Sequence, residues 1–124
     1  KTIKVSERNL KESWLVIPAS LRRLSVDNRV YSKMIDNSYQ NNFVYGYVKT
    51  GTIIAQGLAD GLVLLGSVKP WDFAAVSLLV KEAGGKLTDI YNKSPCFDKR
   101  LNDGIIISNN IIHKDLVNIV NDIN

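Results

Sequence analysis

Residues 60–85 read DGLVLLGSVKPWDFAAVSLLVKEAGG, and this stretch decides the fold. It opens with a continuous apolar run between glycines, which is typical of a strand buried on both faces. A helix is then predicted over about Pro70–Ala83, because proline suits the first helical turn and the glycine pair at 84–85 ends it. This helix is apolar nearly all round, so we expect it to be covered on two sides. A buried strand followed by a buried helix predicts a layered α/β sheet.

Other strands and helices are predicted on both sides of this stretch. Short apolar or β-branched runs predict strands at Thr2–Val5, Ser13–Pro18, Lys86–Ile90 and Gly104–Ser108. Helices are predicted within Ala19 to Tyr39, over Tyr45–Ala55 with Gly57 as its left-handed cap, and after a cap at Asn109 or Asn110. The last helix has an apolar stripe of Ile112, Leu116, Ile119 and Ile123.

These elements predict one domain over residues 1–124. We expect an α/β fold with a layered, mixed and largely parallel sheet covered by helices. The polar run NSYQNN at residues 37–42 is expected to be a turn-rich break between elements.

Composition limits the class of protein. Hydrophobic residues make up 45% of the 124 residues and charged residues 23%, as in globular proteins. No apolar run approaches the roughly 20 residues of a membrane helix, and no export leader is visible. A single cysteine, Cys96, fits a reducing compartment, so we expect a cytoplasmic protein. The net charge of +4 is concentrated in residues 1–50, but the basic residues there are scattered, which favours an ordinary solvated surface.

Asp72 is unusual because it lies in the apolar opening of the predicted helix. A carboxylate in a first helical turn interacts with free N–H groups and the helix dipole, by about 0.3–1 kcal/mol. Alternatively, a carboxylate held rigidly at the edge of a sheet is a suitable ligand for a hard cation such as Mg²⁺. One aspartate alone cannot complete such a site, so spacing leaves both interpretations open.

A longer pattern resembles the inositol monophosphatase family. WDFAA at residues 71–75, EAGG at 82–85 and TD at 88–89 are similar to the family's second signature. AQGLAD at 55–60 matches an A-x-G-x-x-D pattern, and Lys69-Pro70 follows it. GIIISNN at 104–110 and KVSERNLKESWLVIP at 4–18 also resemble family segments. The resemblance therefore covers nearly the whole chain and implies the fold of the family's C-terminal domain.

The resemblance implies a phosphoric monoester hydrolase that uses Mg²⁺. Metal ions in this family bind the substrate phosphate and activate a water for attack. Asp72 matches the metal-ligating aspartate of the signature, whereas the other ligands belong to a Glu-Glu motif and an Asp-Pro-x-Asp-Gly-Thr motif, both absent here. We therefore expect the C-terminal half of a longer phosphatase, inactive alone and without a catalytic residue of its own. We also expect it to expose an apolar surface that favours self-association.

The substrate implied is inositol phosphate or a related small polyol or sugar phosphate. The family's substrate-binding pair aligns with Gly46-Tyr47 or with residues 45–46. Gly51-Thr52 has the residue types of that pair but lies too close to Gly57. The substrate-binding acid of many members is missing, because no acid lies between Asp60 and Asp72. This departure weakens the assignment of inositol itself.

Three alternatives stay open. KPWDF at 69–73 also resembles histidinol-phosphate phosphatases of the same superfamily. Some bacterial relatives act in RNA-transcription complexes, and the basic residues 1–50 are compatible with RNA binding. Family members usually form homodimers, so a purely dimerising half-domain is the third alternative.

The remaining polar residues are interpreted as structural. His113 is expected on the surface of the last helix, and Cys96 in a loop without a catalytic role. Glu82 is expected to close its helix. Asp60 and Asp89 are expected to fix turns rather than to bind metal.

Overall fold

The computed structural model describes residues 3–18, 29–44, 47–96 and 103–122. A single 3₁₀ turn at Leu10–Glu12 precedes the regular elements within these ranges. The elements are β1 (Trp14–Pro18), α1 (Arg29–Asn37), β2 (Gln40–Val44), α2 (Tyr47–Ala55), β3 (Gly61–Leu65), α3 (Pro70–Glu82), β4 (Lys86–Asp89), β5 (Gly104–Ser108) and α4 (His113–Asn121).

The strands form one five-stranded sheet in the order β2-β1-β3-β5-β4. β1 is parallel to β2 and to β3, whereas β5 is antiparallel to both of its neighbours. Four strands therefore run in one direction and only β5 runs against them. The predicted layered, mixed and largely parallel α/β sheet is confirmed.

The sheet has a hydrophobic core on each face. Leu62 and Leu64 of β3 belong to the core under α2 and α3, whereas Val63 between them belongs to the core under α1 and α4. This alternation follows from the two-residue period of a strand. Because both faces are covered, β3 has no polar side chain, and its prediction as a strand buried on both faces is confirmed.

The predicted boundaries of α2 and α3 are largely confirmed. Pro70 occupies the first turn of α3, and Gly84 follows the helix with φ +91. Gly57 has φ +78 after α2, as expected of a left-handed cap.

Two predictions near the sheet edges are wrong. Ile3–Val5 is not a strand, and Val5 instead donates a backbone hydrogen bond to Ala83 O at 3.0 Å. The expected polar break at 37–42 contains the start of β2, which pairs with β1 at the edge of the sheet. An edge strand has one neighbour and tolerates polar residues such as Gln40, which is exposed. Of the helix expected within 19–39, residues 19–28 lie outside the described ranges.

The outward face of α3 corrects a further expectation. Phe73, Val76 and Val80 are buried against the sheet, but Trp71 is 71% and Leu78 62% exposed among the described residues. The helix is therefore covered on one side by this chain. No helix in the described ranges is long and apolar enough to cross a membrane.

Candidate active site

The first turns of α2 and α3 lie at one edge of the sheet. β2, β1 and β3 are parallel neighbours, so their carboxyl ends meet at the same edge. α2 begins at Tyr47, shortly after β2 ends, and α3 begins at Pro70, shortly after β3 ends. The carboxyl edge of parallel strands is where α/β proteins bind ligands.

The contact between α2 and α3 keeps these two helix starts together. Gly51, in the second turn of α2, lies so close to Val76, in the second turn of α3, that a Cβ on Gly51 would overlap the valine Cγ1. Gly51 is thus a packing residue inside a helix. Two helix N-termini at one edge present partial positive charge there, which favours anions such as phosphate.

The backbone of Asp72 lies in the first turn of α3, at this edge. Tyr47 is the first residue of α2, at the same edge, and Gly46 lies outside the described residues. Lys69 directly precedes α3 and its Nζ lies 5.4 Å from the ring centroid of Trp71, a cation–π contact at the surface. The fold thus brings the starts of the two candidate segments to one edge.

Asp60 lies at the opposite edge and has a structural role. It directly precedes β3, and its buried carboxylate accepts hydrogen bonds from Arg8 Nε and from the Trp14 backbone N–H, each at 2.8 Å, and from the Ser6 hydroxyl. Arg8 also donates to Gly57 O at 2.7 Å. Asp60 therefore holds the segment before β1 against the sheet. Its carboxylate is hydrogen-bonded by protein donors at this edge, far from the starts of α2 and α3.

Asp89 fixes a turn, as predicted. Its Oδ1 accepts hydrogen bonds from the backbone N–H groups of Tyr91 and Lys93, both at 2.9 Å. Across the described ranges, no three His, Cys, Asp or Glu side chains form a group that could hold a metal ion.

His113 is buried, with 2% exposure, so its prediction as a surface residue is wrong. Its Nδ1 lies 2.8 Å from Ser108 Oγ and its Nε2 lies 2.7 Å from Thr88 Oγ1. Thr88 donates its own proton to Asp89 O, so Nε2 must carry a hydrogen and donate to Thr88. Ser108 accepts from Asn110 N and donates to Nδ1. Burial, aided by the positive charge of Lys86, lowers the pKa of His113 to about 4.

A sequence signal for this burial existed. His113 lies three residues before Leu116, on the apolar face of α4. The cap predicted at Asn109 or Asn110 is wrong, because the N-cap residue is Ile112 and no side chain caps it. Asn109 Oδ1 accepts instead from Ile112 N at 3.2 Å, in the turn before the helix.

Comparisons with known proteins agree with this architecture. The sequence profile of the inositol monophosphatase family matches residues 1–124. The fructose-1,6-bisphosphatase/inositol-1-monophosphatase of Thermotoga maritima is 42% identical over 57 residues, which are 45% of this chain and 21% of that protein.

Solved structures extend the similarity to nearly the whole chain. The inositol monophosphatase (IMPase) of Thermotoga maritima superposes with a TM-score of 0.81 and 26% identity over 98% of this chain and 46% of its own. The inositol monophosphatase of Anabaena gives 0.82 and 25%, over 98% and 48%. An IMPase/NADP phosphatase solved with Mg²⁺ and phosphate shares the fold at a TM-score of 0.84 and 21% identity, over 98% and 44%.

The chain spans less than half the length of these solved relatives. Because the profile matches every residue and the structures superpose on nearly all of them, the chain belongs to the inositol monophosphatase family.

Proposed function

We propose that this chain is the C-terminal half of a Mg²⁺-dependent phosphomonoesterase. The substrate proposed is inositol phosphate or a related small polyol or sugar phosphate. The observation that carries the proposal is the position of Trp71-Asp72 in a chain of this family, in the first turn of α3 at the carboxyl edge of β3.

Asp72 is proposed as a metal ligand of the longer protein. Asp72 belongs to the first turn of a helix that is anchored to the sheet on one side, where Phe73 directly after it is fully buried. A rigid backbone limits how far a ligand can move, and Mg²⁺ requires near-ideal geometry of its oxygen ligands.

The described residues alone do not fit a Mg²⁺ site. They contain no group of three potential ligands, and the two other carboxylates considered, Asp60 and Asp89, are occupied by protein donors. The remaining ligands are therefore proposed to come from the rest of a longer protein, and no step of the reaction is assigned to this chain alone.

The start of α2 is proposed to contact the substrate. Gly46 and Tyr47 align with the family's substrate-binding pair, and Tyr47 opens α2 beside the start of α3. The N-termini of both helices favour a phosphorylated ligand. The name of the Thermotoga relative, which joins fructose-1,6-bisphosphatase with inositol-1-monophosphatase, supports a small sugar or polyol phosphate. A homodimer and a cytoplasmic location are proposed on the family resemblance and the single cysteine.

The proposal is tested by comparing the 124-residue chain with the product of its complete reading frame. Phosphate release from myo-inositol 1-phosphate and from fructose 1,6-bisphosphate is measured with and without Mg²⁺, and Mg²⁺ binding is measured by calorimetry. We expect the complete product to contain Glu-Glu and Asp-Pro-x-Asp-Gly-Thr and to release phosphate with Mg²⁺, and the 124-residue chain to do neither. A complete product without the two motifs, or without Mg²⁺-dependent release, would refute the proposal.

A further inference from the structure

A groove of about 520 Å³ lies between α3 and β4. Its apolar wall includes Leu78, Leu87 and Pro95. Two lysines also line it, Lys81 near the end of α3 and Lys86 at the start of β4. A groove of this size accommodates several side chains of a ligand.

β4 borders this groove and is an edge strand of the sheet. The N–H of Asp89 bonds to Lys93 O rather than to β5. Residues in an antiparallel strand alternate in direction, so the N–H and C=O of Leu87, two positions earlier, also point away from β5. No other described residue pairs with them, so this edge offers a donor and an acceptor to an added strand.

The positive charge of Lys81 and Lys86 indicates which kind of ligand the groove would bind. Among the described residues, no acidic side chain lines it, and neither Lys81 nor Lys86 forms an ion pair with a carboxylate. A second copy of this chain, paired through Leu87 about a two-fold axis, would bring the two lysines of each copy together, and like charges oppose such pairing. An acidic extended segment would meet both cations and would place apolar side chains on Leu78 and Pro95.

We propose that this groove binds an extended acidic peptide segment, which adds to the sheet as a strand next to β4. Main-chain hydrogen bonds at Leu87 would hold the segment, and Lys81 and Lys86 would select acidic side chains. The proposal is independent of the phosphatase function, because it uses no residue of the candidate active site.

The test uses the 124-residue chain and three labelled peptides, with binding followed by fluorescence anisotropy. The first peptide alternates glutamate with valine, the second alternates lysine with valine, and the third is the first with alternate backbone nitrogens methylated. We expect saturable binding of the first peptide and binding about tenfold weaker or less for each of the others. Slower hydrogen exchange at the Leu87 amide should accompany binding.

Charge reversal locates the site. The double variant Lys81→Glu/Lys86→Glu should weaken binding of the glutamate peptide about tenfold or more. The control Lys114→Glu changes an exposed lysine of α4, which covers the other face of the sheet, and should leave binding unchanged. Undiminished binding to the double variant, equal binding of the methylated peptide, or no saturable binding would overturn the proposal. Self-association that excludes the peptide would assign the groove to a second copy and overturn it as well.

Discussion

Arg8 Nε lies 2.8 Å from Oδ2 of Asp60, and the Asp60 side chain is fully buried whereas that of Arg8 is partly exposed. This ion pair joins the segment before β1 to the start of β3. Breaking a buried pair by removing one partner typically costs 3–5 kcal/mol, because the other group loses its compensation.

Asp60→Ala should therefore lower the free energy of unfolding by about 3 kcal/mol or more. The substitution leaves the Trp14 N–H and the Ser6 hydroxyl without their acceptor. Arg8→Ala should also destabilise the chain, because it leaves the charge of the fully buried Asp60 carboxylate without its cation, although the Ser6 and Trp14 donors remain. Urea denaturation measures both, with Asp122→Ala at an exposed position as the control. An Asp60→Ala variant as stable as this control would contradict the assigned role.

His113 should make stability depend on pH. Its pKa is lowered from 6.5 to about 4 in the folded chain, so the unfolded chain binds a proton first as the pH falls. Its stabilising contribution is complete above pH 6.5 and is lost as the pH falls through 4. Between pH 7.5 and 5 the free energy of unfolding should drop by about 2 kcal/mol from this group.

Urea denaturation at several pH values measures this drop. Residue 113 cannot titrate in the His113→Gln variant. The free energy of unfolding of this variant should therefore change by about 2 kcal/mol less between pH 7.5 and 5 than that of the unaltered chain. Parallel curves for His113→Gln and the unaltered chain would show that the histidine does not titrate as assigned.

The contact between Gly51 and Val76 should behave as a coupled pair. Gly51→Ala adds a methyl group where Val76 already lies, and overpacking costs typically 1–3 kcal/mol, reduced by the better helix propensity of alanine. Val76→Ala makes room, so it should destabilise the Gly51→Ala chain less than the unaltered chain. A double-mutant cycle measures this coupling, and additive effects would contradict the close packing of α2 on α3.

The sequence predicts well those elements whose pattern is set by burial. β3 and β5 are continuous apolar runs because both faces of the sheet are covered. An apolar run of this length is typical of a strand buried on both faces. The ends of α3 are likewise set locally, by Pro70 and by the left-handed glycine Gly84.

The predictions that were wrong concern residues whose structure depends on contacts with other elements of the fold. β2 is a polar edge strand fixed by pairing with β1, so its own residues carry little strand signal. The ring of His113 is bonded both by Ser108, five residues earlier on β5, and by Thr88, 25 residues earlier on β4, and the contact with Thr88 depends on the pairing of the two strands. For the candidate site, the sequence predicts only Asp72 and the start of α2. A motif identifies single positions, whereas a metal site needs several ligands together, and no group of described residues provides them.

The exposed side chain of Trp71, in the first turn of α3 and outside the groove between α3 and β4, should favour self-association of the 124-residue chain. Trp71 is 71% exposed, and exposed apolar surface favours association. Trp71→Lys should shift sedimentation towards the monomer. Tyr39→Lys, at an exposed aromatic outside α3, is the control and should not. A chain that is monomeric at all concentrations would contradict this prediction.

Asp72→Asn in the product of the complete reading frame tests the central claim most directly. The measurement is Mg²⁺-dependent phosphate release from myo-inositol 1-phosphate, together with the midpoint of thermal unfolding. Loss of a ligand charge should reduce release by about a hundredfold or more, while the unfolding midpoint stays near that of the unaltered protein. Full activity of the Asp72→Asn protein, or loss of activity only because the protein unfolds, would contradict a metal-binding role for Asp72.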